Sequence, residues 1–378
     1  MNVLITGANG FMGRNLTATL RERADVELFL VDVGSSKDEL LAATAKADFV
    51  FHLAGVNRPQ FATEFETGNH GFTERLLTLL EQGKRPPVLI TSSTQATLDN
   101  AYGVSKRAAE RCVLDYAKRT GASAYVYRLT NAFGKWSRPN YNSAVATFCF
   151  NIARDLPVTV SDTAIMVRLI YIDDIVSEFL RALEGNPARA DNGFCVVEPE
   201  YGVTLGRLVE LLRGFRATRQ TLDIPDQSDP FIRKLYATYQ SFQPADRLSY
   251  APVSHSDERG SFTELLHLGA YGQVSVNVSN PHIVKGEHWH HTKHEKFVVV
   301  SGRGVIRFRR ADDDAIYAYE VTGNPPTIVD IPPGYTHNIE NIGDVPLVTL
   351  MWASEAFDPA NPDTYRLPVK PKREENEP

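Results

Sequence analysis

Val3-Leu4-Ile5-Thr6-Gly7-Ala8-Asn9-Gly10-Phe11-Met12-Gly13 stands near the start of the chain and decides its fold class. The apolar run reads as a buried strand, and the residues from Phe11 onward read as a helix. Between them glycine recurs at 7, 10 and 13. Glycine permits a tight turn and lets the backbone approach a pyrophosphate, whose charge then rests on the helix N-terminus. The spacing alone is a weak signal, but a strand before it and a helix after it make Gly7, Gly10, Phe11, Met12 and Gly13 candidate dinucleotide contacts. The stretch predicts an α/β fold built on a parallel sheet.

Working outward, short apolar runs recur at Leu28-Phe29-Leu30-Val31, Phe49-Val50-Phe51, Val88-Leu89-Ile90 and Ala124-Tyr125-Val126-Tyr127. Amphipathic stretches such as 72–80 and 105–118 lie between them, so residues 1 to about 215 read as βαβ units. Asp32 closes the second strand. A carboxylate there bonds ribose hydroxyls and repels a 2′-phosphate, which leans the coenzyme towards NAD. Thr91-Ser92-Ser93 ends a strand, and Tyr102-Gly103-Val104-Ser105-Lys106 follows. A Tyr and a Lys four residues apart share one helix face, where the ammonium stabilises phenolate and a nearby hydroxyl holds a carbonyl oxygen. Ser93, Tyr102 and Lys106 are the candidate proton-donating set for a carbonyl receiving hydride.

From about Leu248 helix-length patterns vanish, and short strands recur between Gly, Pro and Asn turns, as in an all-β sandwich or barrel. Residues 224–252, around one helix-like patch, read as the connection. Gly286-Glu287-His288-Trp289-His290-His291-Thr292-Lys293-His294-Glu295 precedes a strand, and Pro332-Pro333-Gly334-Tyr335-Thr336-His337 comes later. His288 and His290 point the same way on an extended strand, and Glu295 is expected to return from the neighbouring strand. With His337 they suit a divalent transition metal, zinc first, with iron, nickel or manganese open. His291 and His294 read as solvent or supporting residues.

The bounds on function agree. The chain has 378 residues, enough for two domains, and its formal charge of −6 offers no basic field for nucleic acid. No apolar run spans a bilayer, and no secretory signal is read at the N-terminus. Cys112, Cys149 and Cys195 are too scattered for a disulfide framework, which fits a cytoplasmic protein.

Gly7 to Gly13, His52-Leu53-Ala54-Gly55, Ser93, Tyr102, Lys106 and Arg128-Leu129-Thr130-Asn131-Ala132-Phe133-Gly134 resemble the extended short-chain dehydrogenases/reductases, with their Rossmann-type doubly wound sheet. The resemblance implies that Leu53, Ala54 and Gly55 join the coenzyme site and that Lys106 holds the ribose. Asn69 matches that group's active-site helix asparagine, and Asn131 and Arg168 fall where it contacts a nucleotide-sugar diphosphate. The paired histidine segments resemble cupin motifs, implying a C-terminal jelly-roll domain with His288, His290, Glu295 and His337 as ligands. Asp257-Glu258-Arg259-Gly260 resembles a diphosphate-gripping segment of sugar-nucleotide epimerase cupins, although Arg259 reads equally as a structural arginine of a β-turn.

A reductase followed by a cupin, with Phe133-Gly134-Lys135-Trp136, Pro139-Asn140-Tyr141-Asn142-Ser143 and Asp363-Thr364-Tyr365, resembles the CapF-type family of bifunctional capsular-polysaccharide enzymes. That resemblance implies C3 epimerisation of a UDP-2-acetamido-2,6-dideoxy-4-hexulose by a zinc cupin. C4 reduction with NADPH then leads towards UDP-N-acetyl-L-fucosamine, in a homodimer. His282, Lys285 and Glu264 stand open as the epimerising base. A 4-epimerase with a regulatory cupin and a non-catalytic sugar-nucleotide sensor remain the alternative readings. The expected domains are 1–245, 246–368 and a disordered tail at 369–378.

Overall fold

The opening apolar run forms β1 (Asn2–Thr6), which pairs in parallel with β2 (Glu27–Val31) and β3 (Phe49–His52). With β4 (Val88–Ser93) and β5 (Ala124–Leu129) these make a five-stranded parallel sheet in the order β2-β1-β3-β4-β5. Every residue of β3 is buried because helices cover both faces. Helix α1 (Phe11–Leu20) lays Leu16 and Leu20 on the face carrying Val3 and Ile5. On the opposite face, α2 (Lys37–Lys46) presents Leu40 and Ala43 to the cluster around Leu4 and Val50. The doubly wound arrangement expected from the sequence is therefore present.

A short helix, α3 (Thr63–Phe65), runs through a π-helical turn, Glu66–Gly71, into α4 (Phe72–Gln82). Helix α5 (Ala101–Thr120) starts where the Asn100 side chain accepts the Gly103 N–H and ends at Gly121, whose φ of 75° is left-handed. A smaller sheet joins β6 (Asn131–Phe133), β7 (Met166–Tyr171) and β8 (Glu200–Thr204). The chain also forms α6 (Ala144–Ile152) and α7 (Ile172–Leu183), whose Ile172, Ile175, Val176 and Phe179 recur at helical spacing and are buried.

The second unit holds only antiparallel pairs among its named strands. One sheet contains β9 (Ser254–Asp257), β10 (Gly260–His267), β11 (Gln273–Ser279), β13 (Glu295–Ser301), β16 (Thr327–Ile331) and β18 (Leu347–Ala353). The other contains β12 (Val284–Trp289), β14 (Arg303–Arg310), β15 (Ile316–Thr322), β17 (Tyr335–Asn341) and β19 (Tyr365–Arg366). Phe297 and Val299 of the first sheet pack with Ile306, Phe308 and Ile339 of the second, giving the expected β-sandwich.

This computed structural model describes residues 1–61 and 63–370, so the end of the expected tail, 371–378, lies outside the described residues. The tail does not begin at 369: Val369 is fully buried, and its carbonyl accepts Arg309 Nε at 2.9 Å. The chain crosses between the two units more than once. Met1–Arg213 groups with Lys234–Ala245, and Gly214–Arg233 groups with the residues from Asp246 onward. A physical reason is visible within the second unit, where Leu222 O accepts His267 N–H and His267 O accepts Ile224 N–H, both at 2.8 Å. Among the described residues no helix is long and apolar enough to cross a membrane.

Candidate active sites

The glycine turn is built without room for side chains. Gly7 has φ of 70°, and a Cβ there would stand 2.7 Å from Ala54 N. A Cβ on Gly13 would collide with Gly7 O and sit 2.8 Å from Ala8 Cα. Asn9 N donates to Asp32 Oδ2 at 2.7 Å, tying the acid at the end of β2 to this turn. Leu53 N donates to Thr6 O, so the Leu53-Ala54-Gly55 segment follows β3 beside the turn. A Cβ on Gly55 would meet both Asn69 Oδ1 and Lys106 Nζ at 3.0 Å. The side-chain-free glycine backbone of this tight turn fits the close approach of a dinucleotide pyrophosphate.

Ser93, at the end of β4, and Tyr102 and Lys106, on α5, come together beside that turn. Burial raises the Tyr102 phenol above its usual range, and its bond with the Ser93 hydroxyl pulls the other way. The phenol donates to Asn57 Oδ1 at 3.1 Å. Lys106 lies 6.0 Å from the Tyr102 ring centre, and its buried ammonium donates to Thr91 O at 3.1 Å rather than to the phenol. The lowering of the phenol expected from Lys106 is therefore not found: burial dominates, and the one opposing pull comes from Ser93. Burial also pushes Lys106 down to about 8, against the pull of Glu110. Glu110 itself is buried and anchors the strand ends, accepting from Ser92 Oγ at 2.5 Å and from Arg128 at 2.8 and 2.6 Å.

Asn69 is buried in the π-helical turn, and its amide accepts Val56 N–H at 2.8 Å and donates to Ser105 Oγ at 3.0 Å. Asn131 and Arg168 are neighbours across β6 and β7: Asn131 Nδ2 donates to Arg168 O at 3.1 Å. The Arg168 guanidinium is exposed and stands 3.6 Å from Glu200.

In the second unit His288, His290, Glu295 and His337 converge, each offering one ligand atom, all within 4.8 Å of one another. Glu295 does not return from the neighbouring strand. β12 pairs with β17 and β19, whereas β13 belongs to the facing sheet. The turn from His290 to Glu295 crosses the sandwich, so the site lies between the layers. His290 Nε2, His337 Nε2 and Glu295 Oε2 are buried without a hydrogen-bond partner, and both imidazole nitrogens lie 3.5 Å from that oxygen. Atoms about 2.1 Å from a tetrahedral ion stand about 3.4 Å apart, so these two spacings and the unpartnered buried donors fit a shared metal. Burial and the adjacent imidazoles push His288 down to about 4. Burial pushes the Glu295 carboxyl up, but His290 and His337 draw it well below its usual range. A neutral imidazole and an ionised carboxylate are the forms a metal takes. His291 and His294 are exposed.

Residues 3–193 match the model of the NAD dependent epimerase/dehydratase family, and residues 255–365 match the polysaccharide biosynthesis C-terminal domain. The UDP-2-acetamido-2,6-beta-L-arabino-hexul-4-ose reductase of Pseudomonas aeruginosa is 44% identical over 370 residues, covering 98% of this chain and 99% of that protein. The crystal structure of the capsular polysaccharide assembling protein CapF from Staphylococcus aureus is 48% identical, with a TM-score of 0.92 over 98% of this chain and 100% of that one. The chain belongs to the CapF-type family. The Bacillus subtilis spore coat polysaccharide biosynthesis protein SpsL is 27% identical over 126 residues, 31% of this chain and 83% of that protein.

In this CapF-type chain a cavity of about 370 Å³ opens beside His288 and His337, lined also by Asp257, Arg259, Asn277 and Lys285. Arg259 is exposed and held by Asp257, whose Oδ2 accepts Nε at 2.9 Å and Nη2 at 2.6 Å. Lys285 donates to Asn277 Oδ1 at 2.8 Å and to Val278 O at 2.9 Å. Glu264 instead bonds Gln273, and the His282 side chain is 73% exposed; neither lines the cavity. Asn57 and Asn277 are site residues that sequence reasoning missed. Asn57 follows the quoted His52-Leu53-Ala54-Gly55 segment by two residues, so proximity to that segment was its one available signal.

Proposed function

We propose that the chain is a bifunctional nucleotide-sugar enzyme acting in sequence. The second unit inverts C3 of a UDP-2-acetamido-2,6-dideoxy-4-hexulose. The first then reduces C4 with NAD(P)H to a UDP-2-acetamido-2,6-dideoxy-L-talose, on the way to UDP-N-acetyl-L-fucosamine for capsule or O-antigen. One observation carries the reading: each unit holds its own constellation, Ser93–Tyr102–Lys106 in one and His288–His290–Glu295–His337 in the other. It is supported by identity along nearly the whole chain to a protein named as a reductase of a UDP-linked 4-ketose. A homodimer, by the family resemblance, and a cytoplasmic location, from the scattered free cysteines, are part of the reading.

A 4-keto group makes the C3 proton acidic. His288, His290, Glu295 and His337 would hold zinc, which would supply polarisation of the sugar carbonyl. Of the three candidate bases only Lys285 lines the cavity, and burial lowers its ammonium below the usual range. In this reading its amine removes the C3 proton, the enolate takes a solvent-derived proton on the opposite face, and Arg259 at the cavity faces the diphosphate.

At the other site the Gly7–Gly13 turn and Asp32 would hold a reduced nicotinamide coenzyme, which would supply hydride for C4. Tyr102 donates its phenolic proton to the C4 oxygen, completing the change from ketone to alcohol. The Ser93 hydroxyl aligns the carbonyl, and Lys106 positions the ribose. Asp32 and the cation-free residues 33–36 favour NADH over NADPH, since a 2′-phosphate there meets a carboxylate and no counter-charge.

The test is to incubate the protein and the 4-keto sugar nucleotide in deuterated water with NADH or NADPH. Coenzyme oxidation and deuterium at C3 are expected, with NADH also binding more tightly by fluorescence titration. Y102F loses reduction by ~10²–10⁴-fold and keeps exchange. H290A and K285M lose exchange, and K285M retains its zinc. Absence of both signals in the parent enzyme overturns the proposal.

A further inference from the structure

We propose that Asp363 is a positioning residue for the metal centre, holding His290 through both its backbone and its side chain. The inference rests on the reading of His288, His290, Glu295 and His337 as ligands.

His290 Nδ1 lies 2.5 Å from Asp363 O. A carbonyl oxygen only accepts, so Nδ1 carries the proton. In the neutral ring that metal ligation requires, a proton on Nδ1 leaves the Nε2 lone pair free, and Nε2 is the buried, unpartnered atom facing Glu295. The backbone of Asp363 therefore selects the tautomer that can bind a metal.

The carboxylate of the same residue holds the loop between two ligands. Asp363 Oδ1 accepts His291 N–H at 2.9 Å, and Oδ2 accepts Thr292 N–H at 3.0 Å, Lys293 N–H at 2.9 Å and the Thr292 hydroxyl at 3.1 Å. Three successive amides of the turn joining His290 to Glu295 thus end on one side chain. The buried Lys293 closes the clamp by donating to Pro362 O at 2.8 Å. Asp363 has φ of 37°, a left-handed conformation uncommon outside glycine, which aspartate adopts more readily than most residues. A residue from the far end of the chain thereby sets both the protonation pattern and the position of one ligand, and the turn leading to another.

Chelator competition with zinc, run on the full chain, tests this. D363A keeps the carbonyl but frees it from the loop, and its zinc dissociation constant is expected to rise by ~10–100-fold, more than the accompanying fall in metal-free stability accounts for. D363N keeps one acceptor oxygen and tolerates the left-handed backbone, so it falls between. Cobalt(II) loaded into each variant reports ligand geometry through its visible spectrum, which a purely structural role leaves unmoved. Unchanged zinc affinity in D363A and D363N, or an equal fall in metal-free stability, overturns the assignment. If the parent chain takes up no zinc, or H290A binds it as tightly, the ligand reading itself fails instead.

Discussion

His52 shows how burial decides protonation around the reductase site. It is fully enclosed, and burial first, then the Lys106 charge, holds it down to about 3 from 6.5. Thr73 spends its hydroxyl proton on Asn69 O at 2.5 Å, so it accepts from His52 Nε2–H at 2.8 Å, and Thr6 donates to Nδ1 at 2.7 Å. The neutral ring thereby supports the π-helical turn that carries Asn69. Because the folded pKa lies below the unfolded one, the folded state binds fewer protons between them, and this contribution is lost as pH falls from about 6.5 towards 3. The slope is on the order of 1 kcal/mol per pH unit. H52Q should therefore show a flatter melting-temperature profile across that window; a profile as steep as the parent's counts against the account. Tyr102 and Lys106 were legible because a helix places residues four apart on one face. Asn57 reaches Tyr102 only through the folding of a loop, which leaves no periodic trace in one sequence.

At the scale of elements, the glycine turn carries the sharpest expectation. Gly13 sits where α1 crosses the turn, and a methyl group there collides with backbone, which cannot rotate away as a side chain can. G13A should lose dinucleotide binding in a fluorescence titration while zinc binding in the second unit persists; coenzyme affinity within about two-fold of the parent refutes the assignment of this turn. Several strands of the sandwich were legible as short runs between Gly, Pro and Asn turns, but their partners were not, since pairing is decided by residues far apart in sequence. Glu295 illustrates the gap: it is close to His290 along the chain, yet belongs to the opposite sheet. β11 illustrates another. Its buried positions are Gln273, Ser275, Asn277 and Ser279, and the valines between them are only half-buried. That polar face is unsuited to an oil-like core, and Asn277 lines the cavity.

For the whole molecule, separate constellations imply separable chemistry. Y102F and H290A should each fail to make the final product, whereas an equal mixture should recover turnover after a lag while the epimerised ketone accumulates. Product analysis by mass spectrometry checks this, and a mixture as inactive as its components rules out a freely exchanging intermediate. The order of the two halves was readable from the change of texture near Leu248, where helical periods give way to short alternating strands. The stitching of the boundary was not, because Leu222 and Ile224 carry no mark of the distant strand they join. Heredity meets the consequence of that stitching. A break at 213 strips the first unit of Lys234, which holds Asp174 at 2.7 Å, and of the buried Leu235 and Tyr239. A break at 245 strips the second of the segment beside His267. Trading either half intact with another gene therefore takes more than one recombination crossover, so the pair is inherited more readily as one piece than as modules.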